Sequence, residues 1–584
     1  MQRRLTFFGL TTAFLALLGT FASAQDFLRE APKVVPSVPA PGGQGGGPAV
    51  IGATKDNEVL LNKLKGIVFV PSPNDVAAGG TEASGVVFRG VKAPAAKNLQ
   101  ALMQPYLGQK LTRGKLNALI NDVISFYRKH DHPIIDAIVP QQEITNGVVQ
   151  LVILEGRVGT VTVAGNQWFP SDEFLTTVRL RPGDTISARQ MQSDIDWLNQ
   201  NPFHATDVVY HPGKSMGETD VVLQTADRFP VRFYGGYENN GNAETGFDRY
   251  ETGFNWGDAF YPGMGQQLSY QYTTSGDGES LRAHAGSYVV PLPWHHTLTF
   301  FGSYADTRGS IPPLFNLKGR SYQISGRYGI PLPTVTVGQL TLKEGFSLGF
   351  DYKYNNNSLE FGGVGAGSTL IDVDQFVFAY NGALNDPYGQ TTLNESLYYS
   401  PGNWGGNNND AAFNASHTGA TSGYVYDNIS LQRITRLPYN FSLVLRGVLQ
   451  ESNSNLTPSE QLGFGGYDTV RGYDDREVNG DEGFIFSTEL RTPPISPGQM
   501  CGWKDFHDQL QFLGFWDYGS ATFSHQVVPG TPSNRVALSG IGAGLRYTIN
   551  TYLSVRFDYA FQLLSTGFDN DHGSRSDLGI VVSY

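Results

Sequence analysis

The chain has 584 residues, a formal net charge of −12 and a single cysteine, Cys501. The negative charge argues against a nucleic-acid partner, and one cysteine cannot form an internal disulfide. Glycine, tyrosine and phenylalanine are abundant (70, 29 and 36 residues), whereas only 16% of the residues are charged. This composition is typical of a transmembrane β-barrel, although a secreted array of β-sandwiches would have a similar one.

Residues 1–24 have the pattern of a secretory signal peptide. Arg3 and Arg4 precede an apolar run, and Ala-Ser-Ala at 22–24 offers a small-residue cleavage site. The run is short for a membrane-spanning helix, which needs ~20 residues. We therefore expect an exported chain that begins at Gln25, with a formal charge of −14 because both arginines are removed.

Residues 25–58 are predicted to be a linker. Several prolines and the glycine-rich run at 42–47 disfavour regular structure. The glycine-rich run is no phosphate-binding loop, because neither a preceding strand nor a following Lys-Ser/Thr accompanies it. One short helix-like piece is present at 26–30.

Residues 59–157 are predicted to form a small α+β domain. Apolar residues at helical spacing indicate helices over 99–106 and 116–127, and short apolar runs indicate four strands. The predicted strands lie at 66–70, 86–88, 134–139 and 148–154. His130-Asp131-His132 is interpreted as a helix exit rather than a metal site, because further ligands at suitable spacing are missing.

Residues 158–227 repeat this plan in shorter form, so the chain contains an internal β-α-α-β-β repeat. A first helix is predicted near Ser171. A second begins at Ser187, with Gln190 three residues later as a capping box. Strands are predicted at 158–163, 208–210 and 221–223.

From residue 228 onward, helical stripes give way to strict alternation. About sixteen segments of roughly 9–13 residues place apolar side chains on one face and polar side chains on the other. Leu553, Val555 and Phe557 share one face of such a segment, whereas Arg556 and Asp558 share the opposite face. A half-buried soluble sheet would also alternate. The aromatic C-terminal residue, Tyr584, favours a barrel because it resembles an outer-membrane assembly signal.

Two motifs in this region are candidates for a functional site. Val470-Arg471-Gly472-Tyr473 lies in a long polar loop, and Phe515, Asp517 and Gly519 occupy the thirteenth alternating segment. Alternation places these last three residues toward the lumen of a barrel. A carboxylate in a narrow, partly dry lumen is unfavourable unless it is paired, and a guanidinium can bind it through two hydrogen bonds. We therefore predict an Arg471–Asp517 ion pair.

These motifs resemble the loop-six and strand motifs of outer-membrane barrels that carry POTRA (polypeptide-transport-associated) domains. Leu-Asn-Gln-Asn-Pro at 198–202 also resembles a helix end in two-partner secretion transporters of the hemolysin-activator family. The resemblance implies two small α+β POTRA domains, at 59–157 and 158–227. A transmembrane antiparallel β-barrel of about 16 strands would follow at 228–584. In that family loop six folds into the barrel and is locked there by the Arg–Asp pair.

The resemblance also implies a function and a location. POTRA domains in the periplasm would recognise a large, unfolded β-helical exoprotein of the adhesin or cytolysin type, and the barrel would secrete it across the bacterial outer membrane. The other implied partners are outer-membrane lipid and, during biogenesis, the barrel-assembly machinery. Family members often plug the pore with an N-terminal helix, which needs roughly twenty residues; residues 26–30 are too few.

Other functions fit the sequence less well. An outer-membrane assembly or insertion factor of the same superfamily usually carries more POTRA domains. A passive porin or receptor would leave residues 59–227 without a role. Motifs for catalysis, metal binding or cofactors are missing, so we expect a protein that is not an enzyme and needs no cofactor. The Asn-rich stretch at 407–410 is interpreted as a solvated loop rather than a calcium site.

Overall fold

A computed structural model describes residues 30–41, 57–242, 245–311, 315–361, 364–522, 535–565 and 573–584. The predicted signal peptide, residues 26–29 of the helix-like piece and the glycine-rich run at 42–47 lie outside these residues. The chain separates into two compact units: Val38–Asn199 with His204–Asp227, and Met1–Ser37 with Gln200–Phe203 and Arg228–Tyr584. Within the described ranges, no helix is both long and apolar enough to cross a membrane.

The first α+β domain has a four-stranded sheet in the order β3-β2-β6-β5 and two helices. Its elements are β1 (Val59–Leu61), β2 (Gly66–Val70), β3 (Gly85–Phe88), α1 (Ala96–Met103), β4 (Leu111–Thr112), α2 (Arg113–Lys129), β5 (Ile135–Ile138) and β6 (Val148–Glu155). Short 3-10 turns lie at Pro73–Asp75 and Gln104–Tyr106. The apolar stripe of α2, which includes Leu119 and Val123, packs on Phe69 and Leu151 of the sheet. The predicted helical spacing thus builds the core.

The second α+β domain repeats the arrangement with a three-stranded sheet in the order β7-β9-β8. Its elements are β7 (Arg157–Ala164), α3 (Ser171–Thr177), α4 (Ala188–Leu198), β8 (His204–Pro212) and β9 (Glu218–Asp227). Helix α4 begins as predicted, because the Ser187 hydroxyl accepts a hydrogen bond from the Gln190 backbone N–H. Strands β8 and β9 are longer than the apolar runs at 208–210 and 221–223 that predicted them.

The His130-Asp131-His132 stretch joins these two domains. The Ser187 hydroxyl donates to Asp131 Oδ2 at 2.6 Å, and the Arg189 backbone N–H donates to Asp131 Oδ1 at 2.8 Å. Burial alone would raise the pKa of the Asp131 carboxyl, but hydrogen bonds from Ser187 and Arg189 and the charge of Arg189 outweigh it, so the pKa is lowered. Asp131 therefore acts as an N-terminal cap supplied by one domain to a helix of the next.

This cap generates a pH-dependent prediction. Asp131→Ala should accelerate amide hydrogen exchange in the first turn of α4 roughly fivefold at neutral pH, since a lost cap costs about 1 kcal/mol. Because the folded-state pKa lies below the unfolded value of about 3.9, the stabilisation is full above that pH and is lost as the pH falls through the folded pKa. Hydrogen–deuterium exchange of the full chain checks this. A difference between variant and wild type that does not shrink as the pH is lowered from neutral toward ~2 would contradict it.

The remaining residues form a closed antiparallel barrel. Sixteen strands of the described residues close it, and the short β16 pairs with one end of β17. The predicted fold class is confirmed. The strands are β10 (Val231–Glu238), β11 (Arg249–Trp256), β12 (Gln267–Ser275), β13 (Leu281–Pro291), β14 (Thr297–Ile311), β15 (Phe315–Pro331), β16 (Val335–Val337), β17 (Leu340–Phe361), β18 (Val364–Asp386), β19 (Gly389–Pro401), β20 (Gly423–Arg436), β21 (Ser442–Ser452), β24 (Glu482–Arg491), β25 (Asp508–Thr522), β26 (Arg535–Ile549), β27 (Leu553–Gln562) and β28 (Ser574–Ser583); β22 (Leu462–Phe464) and β23 (Val478–Gly480) lie in the loop between β21 and β24.

The barrel closes where β10 pairs with β28, in register from Tyr234–Ser583 to Glu238–Gly579. Backbone hydrogen bonds between Phe233 and Tyr584 extend this ladder to the last residue. The Tyr584 side chain is 93% exposed and so faces outward. Closure gives the backbone groups of both terminal strands a partner, as a bilayer requires.

Strand length departs from the sequence prediction at one side of the barrel. The alternating segments were expected to have roughly 9–13 residues, but β17 and β18 have 22 and 23 residues. Only ~9–11 residues of a tilted strand cross the hydrocarbon layer. The additional residues extend β17 and β18 beyond the outer edge of the hydrocarbon layer. Both faces of a strand are polar there, so the alternation pattern does not show where the strand ends.

The Asn-rich stretch lies in a loop, as predicted, but one of its side chains is buried rather than solvated. Asn408 is buried and donates through Nδ2 to the Asp372 carbonyl, and Asn407 donates to the Asp372 carboxylate. Asn409 caps helix α5 (Asp410–Ser416). These amides tie the extracellular loop 402–422 to β18. The other short helical elements of the barrel are a 3-10 turn at Pro438–Asn440 and α6 (Pro497–Met500).

Candidate functional site: loop six inside the lumen

The loop between β21 and β24, residues 453–481, is the sixth extracellular connection of the barrel, and we call it loop six. Its strands β22 and β23 form a short hairpin. Apolar side chains of the loop, including Phe464, Val470 and Tyr473, are buried against inward-facing Ile485 and Leu538 of the wall. Loop six therefore packs within the lumen.

Arg471 and Asp517 lie at the centre of this packing. Arg471 Nε donates to Asp517 Oδ2 at 2.7 Å, and Nη2 donates to Oδ1 at 2.9 Å. The Arg471 backbone N–H adds a third bond to Oδ2 at 3.2 Å. Asp517 has no exposed surface and Arg471 is 3% exposed. Two parallel bonds between a guanidinium and a carboxylate are the strongest geometry for such a pair.

Arg471 has further partners that the sequence did not reveal. Its Nη1 donates to Glu489 Oε1 at 2.7 Å and lies 3.9 Å from Asp558 Oδ1. Its guanidinium also lies 3.5 Å from the ring centroid of Phe515, in cation–π contact. One cation thus serves carboxylates from β24, β25 and β27. Alternation along β24 and β27 already placed these side chains inward; which of them meet needed the strand order and register.

The other predicted motif residues surround this cation. Gly472 has φ +100°, a left-handed conformation that favours glycine. The Tyr473 hydroxyl donates to the carbonyls of Ser539 and Leu564. Val470 and Phe464 lie against Gly519, whose missing side chain leaves room for them. The structure therefore brings together all seven predicted site residues.

A glycine in the barrel wall makes room for the backbone of loop six at Arg471. A Cβ added to Gly540 of β26 would lie 1.9 Å from the Arg471 carbonyl oxygen. Gly540 belongs to a glycine-rich run, 540–544, in an alternating segment, and that pattern by itself predicts only that small side chains leave space in the lumen. The structure shows why a glycine is needed at this position. The backbone of loop six passes directly over β26, so a side chain at Gly540 would collide with it.

A second anchor holds the beginning of loop six on the far wall. Glu460 Oε1 accepts from Lys353 Nζ at 2.5 Å, and Glu460 Oε2 accepts from Gln375 and from the Tyr426 hydroxyl. Neighbouring Arg327 and Asp351 form a separate ion pair at 2.7 Å. Loop six thus supplies the anion that balances a buried lysine of β17. Neither of the two sequence motifs includes Glu460.

The segment at 30–37 also lies in the lumen. Lys33 Nζ contacts Glu238 Oε1 at 2.8 Å and Glu251 Oε2 at 3.1 Å, on β10 and β11. Arg556 of β27 also approaches Glu238, at 3.6 Å, and its guanidinium stacks on Tyr467 of loop six. Glu238 thus links the N-terminal segment to the wall that contacts loop six. Glu30 is helical, whereas residues 31–37 are neither helix nor strand.

Comparison with known proteins identifies this arrangement. The family model for haemolysin secretion/activation proteins ShlB/FhaC/HecB matches residues 217–547, more than half of the chain. The chain belongs to this family. A POTRA domain of the ShlB type matches residues 82–156. The protein is therefore an outer-membrane β-barrel of the two-partner secretion transporter family, in which the POTRA domains are periplasmic.

Individual relatives are distant in sequence. The heme/hemopexin transporter protein HuxB of Haemophilus influenzae strain 86-028NP is 22% identical over 77% of this chain and 78% of its own. The outer membrane transporter CdiB of Dickeya dadantii is 24% identical over 76% and 78%. Among solved structures, CdiB from Escherichia coli superimposes with a TM-score of 0.73 at 17% identity, covering 94% of both chains. CdiB from Acinetobacter baumannii gives 0.62 at 16% identity, covering 91% of both.

The site predicts unequal effects for the two halves of the ion pair. Arg471→Ala leaves Asp517 and Glu489 without their shared cation, at a cost of about 3–5 kcal/mol. Asp517→Ala is milder, because Arg471 keeps Glu489. Planar-bilayer recordings should show the largest rise in channel current for Arg471→Ala, less for the double variant and least for Asp517→Ala. The barrel should assemble in all three, since its ladder is unchanged. Equal currents in the three variants would contradict this order.

The close approach at Gly540 provides a steric test. Gly540→Ala should displace Arg471 from the wall and make loop six sensitive to trypsin in folded protein. Gly514→Ala on β25 is the matched control, because the nearest atom to its added Cβ is 3.9 Å away. Tryptic peptide mapping checks both variants. A loop that stays equally protected in Gly540→Ala would mean that this contact does not position it.

Proposed function

We propose that this chain secretes a large, unfolded β-helical exoprotein of the adhesin or cytolysin type across the outer membrane, after its POTRA domains have bound it. The observation that carries the proposal is a polar barrel lumen filled by the chain's own loop. Ion pairs and hydrogen bonds, together with an apolar cluster around Phe464, hold that loop in place. The polar contacts can exchange with water when a polypeptide enters, whereas the strand ladder stays intact.

We also propose roles for the site residues and bounds for the domains. Val470, Arg471, Gly472 and Tyr473, with Phe515, Asp517 and Gly519 on the facing strand, would lock loop six in the resting transporter. The POTRA domains would span 59–157 and 158–227, and the barrel 228–584. Movement of the locked loop would widen the passage. Folding of the exoprotein outside would make its passage one-way without ATP.

Strand β8 is the best-supported docking edge for the exoprotein. Among the described strands it pairs only with β9, and it has nine residues. The backbone N–H groups of Thr206 and Val208 bond to the side chains of Asn199 and Asp207, so they point away from β9. Alternation directs the Tyr210 N–H the same way. An extended exoprotein segment could therefore add to this edge as a further strand.

Crosslinking in living cells tests this proposal and needs no purified exoprotein. A photoreactive phenylalanine analogue at Tyr210, in cells of the native host, should trap a large exported polypeptide that mass spectrometry identifies. The same analogue at Trp168, an exposed aromatic residue elsewhere in the same domain, is the matched control. Tyr210→Pro should lower secretion of the trapped protein, because it removes an outward N–H without breaking the ladder.

Two results would overturn the proposal. Barrel precursors trapped at Tyr210 would favour an assembly or insertion factor of the same superfamily. Equal trapping of the exoprotein at Trp168 and Tyr210, with unchanged secretion by Tyr210→Pro, would place recognition on another surface.

A further inference from the structure

The outward face of the barrel carries a cluster of cations at the extracellular ends of β13, β14 and β15. Arg282, Arg308, Lys318 and Arg320 are all exposed there. Asp306 lies among them, 3.8 Å from Arg308 and 3.8 Å from Arg320. The cluster keeps three net positive charges on a protein whose formal charge is −12. We call these five residues the outer cationic patch.

The strand register brings these charges side by side. Arg282 pairs across strands with Asp306, and Asp306 pairs in turn with Arg320. Arg308 stands directly opposite Lys318. Like charges in directly opposed positions destabilise a sheet. An anion that lies over Arg308 and Lys318 would relieve this repulsion.

An aromatic row fixes the height of the patch in the membrane. His284, Tyr304, Tyr322 and Tyr354 pair in register across β13, β14, β15 and β17, two residues nearer the bilayer centre than the Arg282–Asp306–Arg320 row. The rings of Tyr322 and Tyr354 stack at 4.7 Å. Aromatic side chains form girdles at the membrane interface of outer-membrane barrels.

The length of β13 places the outer cationic patch at the same level of the membrane. Arg282 lies nine residues from Pro291, the periplasmic end of β13. A tilted strand crosses the hydrocarbon layer in ~9–11 residues. The patch therefore lies just outside the hydrocarbon, at the level of the headgroups of the outer leaflet.

We propose that the outer cationic patch binds the phosphate groups of lipid A, the phosphorylated glycolipid anchor of the outer leaflet. Arginine recognises phosphate through two parallel N–H donors, and three of the four cations are arginines. Asp306 contacts both Arg308 and Arg320 and so orients their guanidinium groups. The acyl chains would lie along the aromatic row and the apolar outward residues below it, which include Phe300 and Ile324, 48% and 64% exposed. The site is independent of secretion and of loop six.

The test uses the purified full chain in detergent. Lipid A with both phosphates should bind at least tenfold more tightly than lipid A stripped of them, as native mass spectrometry measures. Arg308→Gln combined with Arg320→Gln should weaken that binding by about tenfold or more, since each cation near an anionic surface contributes roughly fivefold. Unchanged channel current and unchanged thermal stability without lipid would show that the variant barrel is folded.

A matched variant removes two cations from the opposite end of the barrel. Arg436→Gln combined with Lys504→Gln changes exposed periplasmic residues and should leave lipid A binding unaltered. Equal loss in both double variants would mean that net charge alone attracts the lipid and would overturn the site. Equal affinity for lipid A with and without its phosphates would overturn the proposed site as well. So would full displacement of lipid A by inorganic phosphate, because the patch would then be an ion site rather than a lipid site.

Discussion

In a bilayer every backbone N–H and C=O of a spanning segment must find a partner within the protein, and this constraint determines the rest of the molecule. Pairing of β10 with β28 satisfies it by leaving no open edge in the ladder. A closed ladder fixes which side chains face inward, because successive residues alternate between lipid and lumen. Polar residues excluded from the lipid face therefore collect inside, where they need partners of their own.

Loop six supplies those partners on two walls. On one side the carboxylates of Glu489, Asp517 and Asp558 face inward, and the loop brings Arg471 to them. On the other side it brings Glu460 to Lys353. Glu489 and Asp558 also pair with arginines of the barrel wall. Asp517 and Lys353 take their opposite charges from the loop, so electrostatics favours one placement of the loop over others. Polar contacts of this kind can exchange with water more easily than a packed apolar core, which suits a lumen that must open.

Alternation and motif chemistry were sufficient to predict much of this protein. The helical stripe at 116–127, the cap at Ser187 and the inward face of Asp517 are local properties, set by periods of 3.6 and 2 residues and by one hydroxyl. The Arg471–Asp517 contact was predictable for a related reason: an inward carboxylate needs a cation, and a recognisable motif supplied one. These features depend on few residues close in sequence or on a single strong pairing rule.

The features that escaped prediction depend on which strands are neighbours. Glu489 and Asp558 meet Arg471 only because β24 and β27 lie on either side of the β25–β26 pair, and Glu460 meets Lys353 only across the lumen. The chain itself encodes that each side chain faces inward, by its place in an alternating strand. Only the tertiary structure decided which of them touch, because strand register and the path of a 29-residue loop are settled by closure of the whole barrel.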